Sequence, residues 1–402
     1  MNKLTFLFAA LLILVSCTSN ETLKQKAIRI QKEIVAIDTH CDTPMQFTKK
    51  AFDIGEEHTP PDSRVDLPRM QKGGLDAIFF AVFTSQGKRD EEGDKKVYSL
   101  ANRILDSIYV EVDRNSDISG LAFTSDDVVK LKNEGRRAIY IGMENGYPIG
   151  KDLSRVEYFY NRGVRYITLC HTKNNDICDS STDSKGAEHD GLSDFGREVV
   201  HKMNELGMII DVSHISDKSF YDVIELSKAP VIASHSSVRS VCNHPRNMTD
   251  EMIKMLAAHN GVIQICLLGN YIKEADTTSM NFVKKRELKK KYNGYKYKNE
   301  AERDSAWAEW RRINKEYPQV LPTISDAVDH IDHVVKLVGA DYVGIGSDFD
   351  GGGGLADCKD VADYPAITEE LLRRGYSRED IEKIWGGNFL RVFKEIEKVS
   401  DN

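Results

Sequence analysis

Eight short runs, at 35–39, 76–83, 138–143, 165–170, 208–212, 230–233, 261–267 and 342–347, recur along the chain and are mostly apolar throughout rather than alternating. A strand with one wet face alternates with a period of two, so continuous apolarity marks strands covered on both faces. Helical patterns fill the gaps between the runs. Ser193 is placed to cap a segment whose Phe195, Val199, Met203 and Leu206 form one stripe and whose Gly207 ends it. Phe220, Val223, Ile224 and Leu226 mark a second such face, and Ile331, Val334, Val335 and Val338 a third, just before the last run. Eight buried strands alternating with helices predict an α/β fold, a (β/α)8 TIM-type barrel. A doubly wound open sheet is the alternative, and no GxGxxG or Walker loop supports it.

Two segments exceed a minimal barrel. Residues 53–70 are polar and Pro-rich and read as a loop over the barrel mouth. Residues 272–321 are long and charged and read as a helical insertion after strand 7, on the carboxyl face where lids lie. The Gly351–Gly354 run follows an acidic pair rather than opening a helix, which makes it a loop and not a phosphate cradle. With a net charge of −8 and no basic stripe, nucleic acid is excluded as a partner. The basic run 284–298, interleaved with Tyr, reads as a solvated helix face.

The chain begins MNKLTFLFAALLILVSCTSNET, a positive residue and then an apolar stretch too short for a comfortable membrane span. It closes on Leu14-Val15-Ser16-Cys17, which resembles a bacterial lipobox. Residues 1–16 are therefore expected to be a lipoprotein signal peptide, 17–30 a lipidated tether, and 31–402 a single barrel domain. The protein is expected outside the cytoplasm, held to a bacterial membrane by a lipid on Cys17, with an uncleaved anchor helix as the competing reading. Six other cysteines remain, Cys41, Cys170, Cys178, Cys242, Cys266 and Cys358, and no CxxC occurs among them. That compartment permits disulfides, yet sequence cannot pair six cysteines, and several are expected to stay free and buried.

The chemistry lies at the carboxyl ends of the runs. The first ends in Asp38-Thr39-His40-Cys41-Asp42, and residues two apart on a strand share a face, so His40 and Asp42 can reach one ion. The third ends in Glu144, the fourth in His171, the fifth in His214, the sixth in His235 and the eighth in Asp348. One such residue would most often be a hydrogen-bonded structural group. Seven at six strand ends point to metal, and they are too many for one tetrahedral ion. Glu144, central to the set, is the candidate bridge between two ions. Asp350 rivals Asp348 as a proton carrier, with loop structuring as its default. Asp38 and Asp211 lie within strands and read as structural or supporting groups, and Tyr271 could border a substrate pocket.

The stretches IDTHCDTP, GMENG, RYITLCHTKNND, GLSDFGREVVHKMNELGMIIDVSHIS, VIASHSSVRSVCNHPRN and VGIGSDFDG resemble those of the membrane (renal-type) dipeptidases, zinc peptidases within the metal-dependent (β/α)8 hydrolases. The resemblance spans about residues 34–395 and keeps the family's motif order. It implies a dipeptidase with two Zn2+ per chain: His40 and Asp42 on one, His214 and His235 on the other, Glu144 bridging. A hydroxide bridging the ions would attack the peptide carbonyl, with Asp348 as acid/base. His171 and Arg246 match positions that contact substrate and its tetrahedral intermediate, and guanidinium suits the free carboxylate of a dipeptide. It further implies a possible homodimer, and admits β-lactam opening as a side activity. The competing functions are a related binuclear amidohydrolase on a cyclic amide or ester, whose modified-lysine position holds His171 here, and a non-catalytic peptide-binding lipoprotein.

Overall fold

The structure, a computed structural model, describes residues 21–48 and 52–400. The expected signal peptide and Cys17 lie outside the described residues. Among the described residues nine strands occur: β1 (Ile37–Cys41), β2 (Ala77–Phe83), β3 (Ser119–Leu121), β4 (Arg137–Glu144), β5 (Val164–Thr168), β6 (Ile209–Asp211), β7 (Ile232–Ser236), β8 (Val262–Ile265) and β9 (Val343–Ile345). All pair in parallel, in the order β1-β2-β4-β5-β6-β7-β8-β9. The eight expected runs supply that path, and β3 is an added three-residue strand on the flank of β4. The ring closes between β1 and the segment after β9: Asp348 N donates to His40 O (3.1 Å) and Asp42 N to Phe349 O (2.8 Å). Asp38, fully buried, reinforces this seam by accepting from the Ser347 amide and hydroxyl and from the Tyr364 hydroxyl. The expected (β/α)8 barrel is thus the observed fold.

The helices form where the sequence marks them. Asp194–Leu206 starts at Ser193, whose Oγ accepts from Gly196 N, and stops at Gly207 with φ +67°. Asp217–Leu226 and Ile324–Val338 begin at Ser216 and Thr323 in the same way. The expected tether over 17–30 is too long. A helix already runs over Leu23–Glu33, opened by a Thr22–Gln25 capping box, and buries Ala27, Ile30 and Gln31. Its polar outer face gives it the composition of a linker, while its apolar stripe docks on the body. The loop expected over 53–70 ends earlier, because Asp66 caps a helix over Leu67–Gly73. The rest of it does reach the mouth, where Ser63 Oγ and Arg64 N donate to Asp350.

The insertion after β8 contains helices Met280–Lys291 and Glu300–Glu316, which share a small core of Leu288, Tyr292, Ala306 and Ile313. A cavity of 830 Å3 beside it is lined by Phe282, Arg286, Tyr295, Tyr317 and Leu321 among others, and by none of the seven strand-end residues.

The amino-terminal end of the barrel is plugged by the last helix, Asn388–Ser400. Phe389 meets the Phe79 ring edge-on at 5.3 Å and Phe393 meets Tyr140 at 6.0 Å. Phe79 stacks in turn on Tyr166 at 5.1 Å, and Tyr166 on His40 at 6.4 Å. An aromatic column therefore runs from the closed end of the barrel up to its polar end. The six cysteines of the described residues are all free and buried.

Candidate metal centre

Parallel pairing in one closed ring puts every strand's carboxyl end on the same face, so residues far apart in sequence converge there. Three of them, His40, Glu144 and His235, are still inside their strands, whereas His171, His214 and Asp348 stand on the turns beyond. Glu144 is the centre. Its Oε1 lies 3.1 Å from His214 Nε2 and 3.5 Å from both His235 Nε2 and His171 Nε2, and its Oε2 lies 3.6 Å from His40 Nε2. His40 Nε2 is also 3.8 Å from Asp42 Oδ2, and the His214 and His235 Nε2 atoms face each other at 2.9 Å. Two donors sharing one tetrahedral ion at ordinary bond lengths sit roughly 3.3 Å apart, so the set is spaced for ions rather than for a hydrogen-bonded core. His40, Asp42 and Asp348 form a further group whose donor atoms lie within 4.8 Å of one another.

Unpaired atoms support the same reading. His40 Nε2 and Asp42 Oδ1, both aimed into the set, are buried without a hydrogen-bond partner, a costly state for polar groups that a bound ion would relieve. Three nitrogens and two carboxylates match the donor chemistry of zinc. Burial, the Arg246 charge and His171 hold His214 well below the usual imidazole range, and burial with His40 brings His235 down to about 3. Both rings therefore stay neutral and keep a lone pair for a ligand. Burial pushes Glu144 up, but the four surrounding histidines outweigh it and hold this carboxylate well below its usual range. Asp348 moves the other way, pushed well above the usual range by burial and then by the Asp42 charge.

The backbone at this face is unusual in the same places. His214 (φ +71°), Asp348 (φ +59°) and Asn145 (φ +77°), next to Glu144, all adopt the left-handed region. Non-glycine residues held there carry local strain of about 1–3 kcal/mol each, and such residues cluster at functional sites. Gly351 is required beside them: a Cβ there would stand 2.0 Å from Asp42 Oδ2 and 2.2 Å from Asp348 Oδ1.

Arg246 is 3% exposed, and its guanidinium has no carboxylate partner among the described residues. It donates to His235 O (2.9 Å) and Ser236 Oγ (3.2 Å), lies 5.2 Å over the Tyr271 ring, and leaves Nε free. Buried charge without a counter-charge is costly, which marks this cation as awaiting an anion. His171, with a side chain 20% exposed, is the outermost imidazole, its ring edge-on to Phe83 at 4.9 Å.

All eight expected site residues thus converge on one face. Asp350 does not belong to them; it accepts from Thr43, Ser63 and Arg64 and so orders the mouth loop. Asp38 and Asp211 support the strands as expected. Tyr166, whose Oη lies 2.8 Å from His40 Nδ1, was missed, because it reads as one more apolar residue of its run. Its ring fills the space over Gly142, where a Cβ would stand 2.1 Å from its Cζ.

Comparison with known proteins agrees with this geometry. A family model, Membrane dipeptidase (Peptidase family M19), matches residues 24–402. Dipeptidase verJ of Clonostachys rogersoniana is 34% identical over 93% of this chain and 87% of its own length. Dipeptidase 3 of Rattus norvegicus is 28% identical over 95% of this chain and 69% of its own. The crystal structure of the probable dipeptidase PvdM from Pseudomonas aeruginosa superposes with a TM-score of 0.84 at 30% identity, covering 94% of this chain and 99% of that one.

Proposed function

We propose, from the premise that the chain belongs to the membrane dipeptidase family and is a peptide-bond-hydrolysing metallopeptidase, that its dipeptidase reaction runs on two zinc ions held by His40, Asp42, Glu144, His214 and His235. The observation that carries this reading is the division of Glu144: one oxygen faces His214 and His235, the other faces His40. When bound, the pair of ions would supply a water acidified toward neutrality as nucleophile and a polarised substrate carbonyl.

The chain's own residues do the rest. Arg246, buried and lacking a carboxylate, takes the free C-terminal carboxylate of the dipeptide and so selects for substrates that end there. His171, at the exposed edge of the set, donates to the carbonyl oxygen as it gains charge. Asp348 accepts the proton released by the attacking water and returns it to the leaving amine; a carboxyl that burial and Asp42 bias toward protonation suits that shuttle. Burial of the whole set excludes competing water and strengthens each of these contacts.

Family membership removes the reading as a non-catalytic peptide binder. Arg246 favours a substrate with a free carboxylate, as a linear dipeptide has, over a cyclic amide or ester that lacks one. The lipid on Cys17, and with it an extracytoplasmic place on a bacterial membrane, rests on the sequence of the first 17 residues, and a homodimer on the family resemblance. Among the described residues no helix is long and apolar enough to cross a membrane. The test is a panel of dipeptides, their C-terminal amides and cyclic counterparts, assayed with purified protein before and after chelation and after zinc is returned. Zinc-dependent cleavage of free dipeptides alone is expected; absence of cleavage in zinc-loaded protein overturns the reading.

A further inference from the structure

We infer that Asp211, acting through the Ser234 hydroxyl, is a positioning residue that fixes which nitrogen of His235 faces the metal, and that it does so for one ion site only. The inference rests on the two-zinc reading above and deepens it by separating the two sites. His235 Nδ1 lies 2.8 Å from Ser234 Oγ, and Ser234 Oγ donates to Asp211 Oδ2 at 2.6 Å. A hydroxyl has one proton. With that proton committed to the carboxylate, Oγ meets the imidazole as an acceptor, so Nδ1 carries the ring's hydrogen. The lone pair is then on Nε2, the atom that faces Glu144 and His214.

Asp211 ties neighbouring strands together and also stands behind the Ser234 hydroxyl. It is fully buried and has no ion-pair partner among the described residues. Hydrogen bonds hold its charge instead: the Ser213 and Ser234 amides donate to Oδ1 at 3.0 and 2.8 Å, and the Thr168 and Ser234 hydroxyls donate to Oδ2. A carboxylate behind the hydroxyl raises the basicity of Oγ, and through it the electron density available at His235 Nε2. The other site is arranged differently. His40 Nδ1 lies 2.8 Å from the Tyr166 hydroxyl, and among the described residues no carboxylate is hydrogen-bonded to that phenol. One ion is thus served by a carboxylate-backed imidazole and the other by a phenol-backed one.

The experiment is a zinc titration of the full chain against a competing chromophoric chelator, resolving two affinities, in the parent protein, Ser234→Ala, Ser234→Thr and Thr168→Val. Ser234→Ala is expected to weaken one of the two sites by about 10–100-fold and to leave the other unchanged. Ser234→Thr keeps the hydroxyl and is expected to restore the parent value. Thr168→Val removes a donor from the same Asp211 oxygen without touching the Ser234–His235 contact, and is expected to leave both affinities near the parent's. The relay is overturned if Ser234→Ala changes neither site, weakens both alike, or is matched by Thr168→Val, which would make the effect one of packing. Fewer than two zincs in the parent protein would instead overturn the two-zinc reading, and this inference with it.

Discussion

The two ends of the same barrel are built on opposite principles. At the amino-terminal end, Phe79, Tyr140, Phe389 and Phe393 are buried and packed ring against ring. At the carboxyl end, a few residues further along the same strands, the interior holds four histidines, three carboxylates and an unpaired arginine. There the backbone is left-handed at Asn145, His214, Asp348 and Asp350, and buried polar atoms lack partners. One end satisfies every rule of a stable core, and the other breaks several of them together. Apolar packing is therefore concentrated at the end that holds none of the donor set, and the left-handed backbone and unpaired polar atoms of the site at the end that holds it.

Substitutions can break that division or sharpen it. The largest expected effect belongs to the polar end: Asp348→Asn should lower kcat by about 10²–10⁴-fold while zinc content and thermal midpoint stay near the parent's. Near-normal turnover would move the proton-carrying role to another group. Next comes the apolar end. Phe389→Ala should destabilise by about 3–5 kcal/mol in denaturant unfolding, with kcat/KM of the folded protein within a few-fold of normal. A loss of activity without a loss of stability would show that the two ends are not separable.

Gly142→Ala probes the junction between them. A Cβ at this position overlaps the Tyr166 ring, and overpacking of this kind costs about 1–3 kcal/mol. Because Tyr166 touches both Phe79 and His40, stability and zinc affinity should fall together; a change in only one of them would place the boundary elsewhere.

The smallest effect lies on the rim. Burial raises the Asp326 carboxyl, but the Lys273 ammonium and the Thr323 amide outweigh it, so its pKa in the folded state is depressed below 3.8. A depressed carboxyl stabilises above its unfolded pKa and ceases to as pH falls through its folded one. Asp326→Asn should therefore cost a few tenths to about 1 kcal/mol at pH 7, with the gap closing below the ordinary carboxyl range and no effect on turnover. A gap independent of pH would assign the loss to helix capping alone.

Legibility in the sequence followed the same division. The eight runs, their helices and the cap at Ser193 could be read because each depends on neighbours within a few residues. The seven strand-end residues could be read because their chemical types recur at one point in each repeat. The helix over Leu23–Glu33 was mistaken for part of a tether because its exposed residues outnumber its buried ones. Tyr166 and Ser234 were missed because nothing local distinguishes a hydroxyl that supports a histidine from one that fills space.

Residue order alone therefore determined the eight strands of the ring, the parallel architecture and the convergence of metal-binding residue types on one face. Local periodicity and the single direction of all strands are sufficient for those. The tertiary structure decided which donor faces which: that Glu144 divides its oxygens between His40 and the His214–His235 pair, that Arg246 is left without a carboxylate, and that Asp350 is taken up by the mouth loop. These are contacts between residues tens to hundreds of positions apart. Their distances are set by the register of the ring and by left-handed turns at its rim, and neither has a signature within any one stretch of chain.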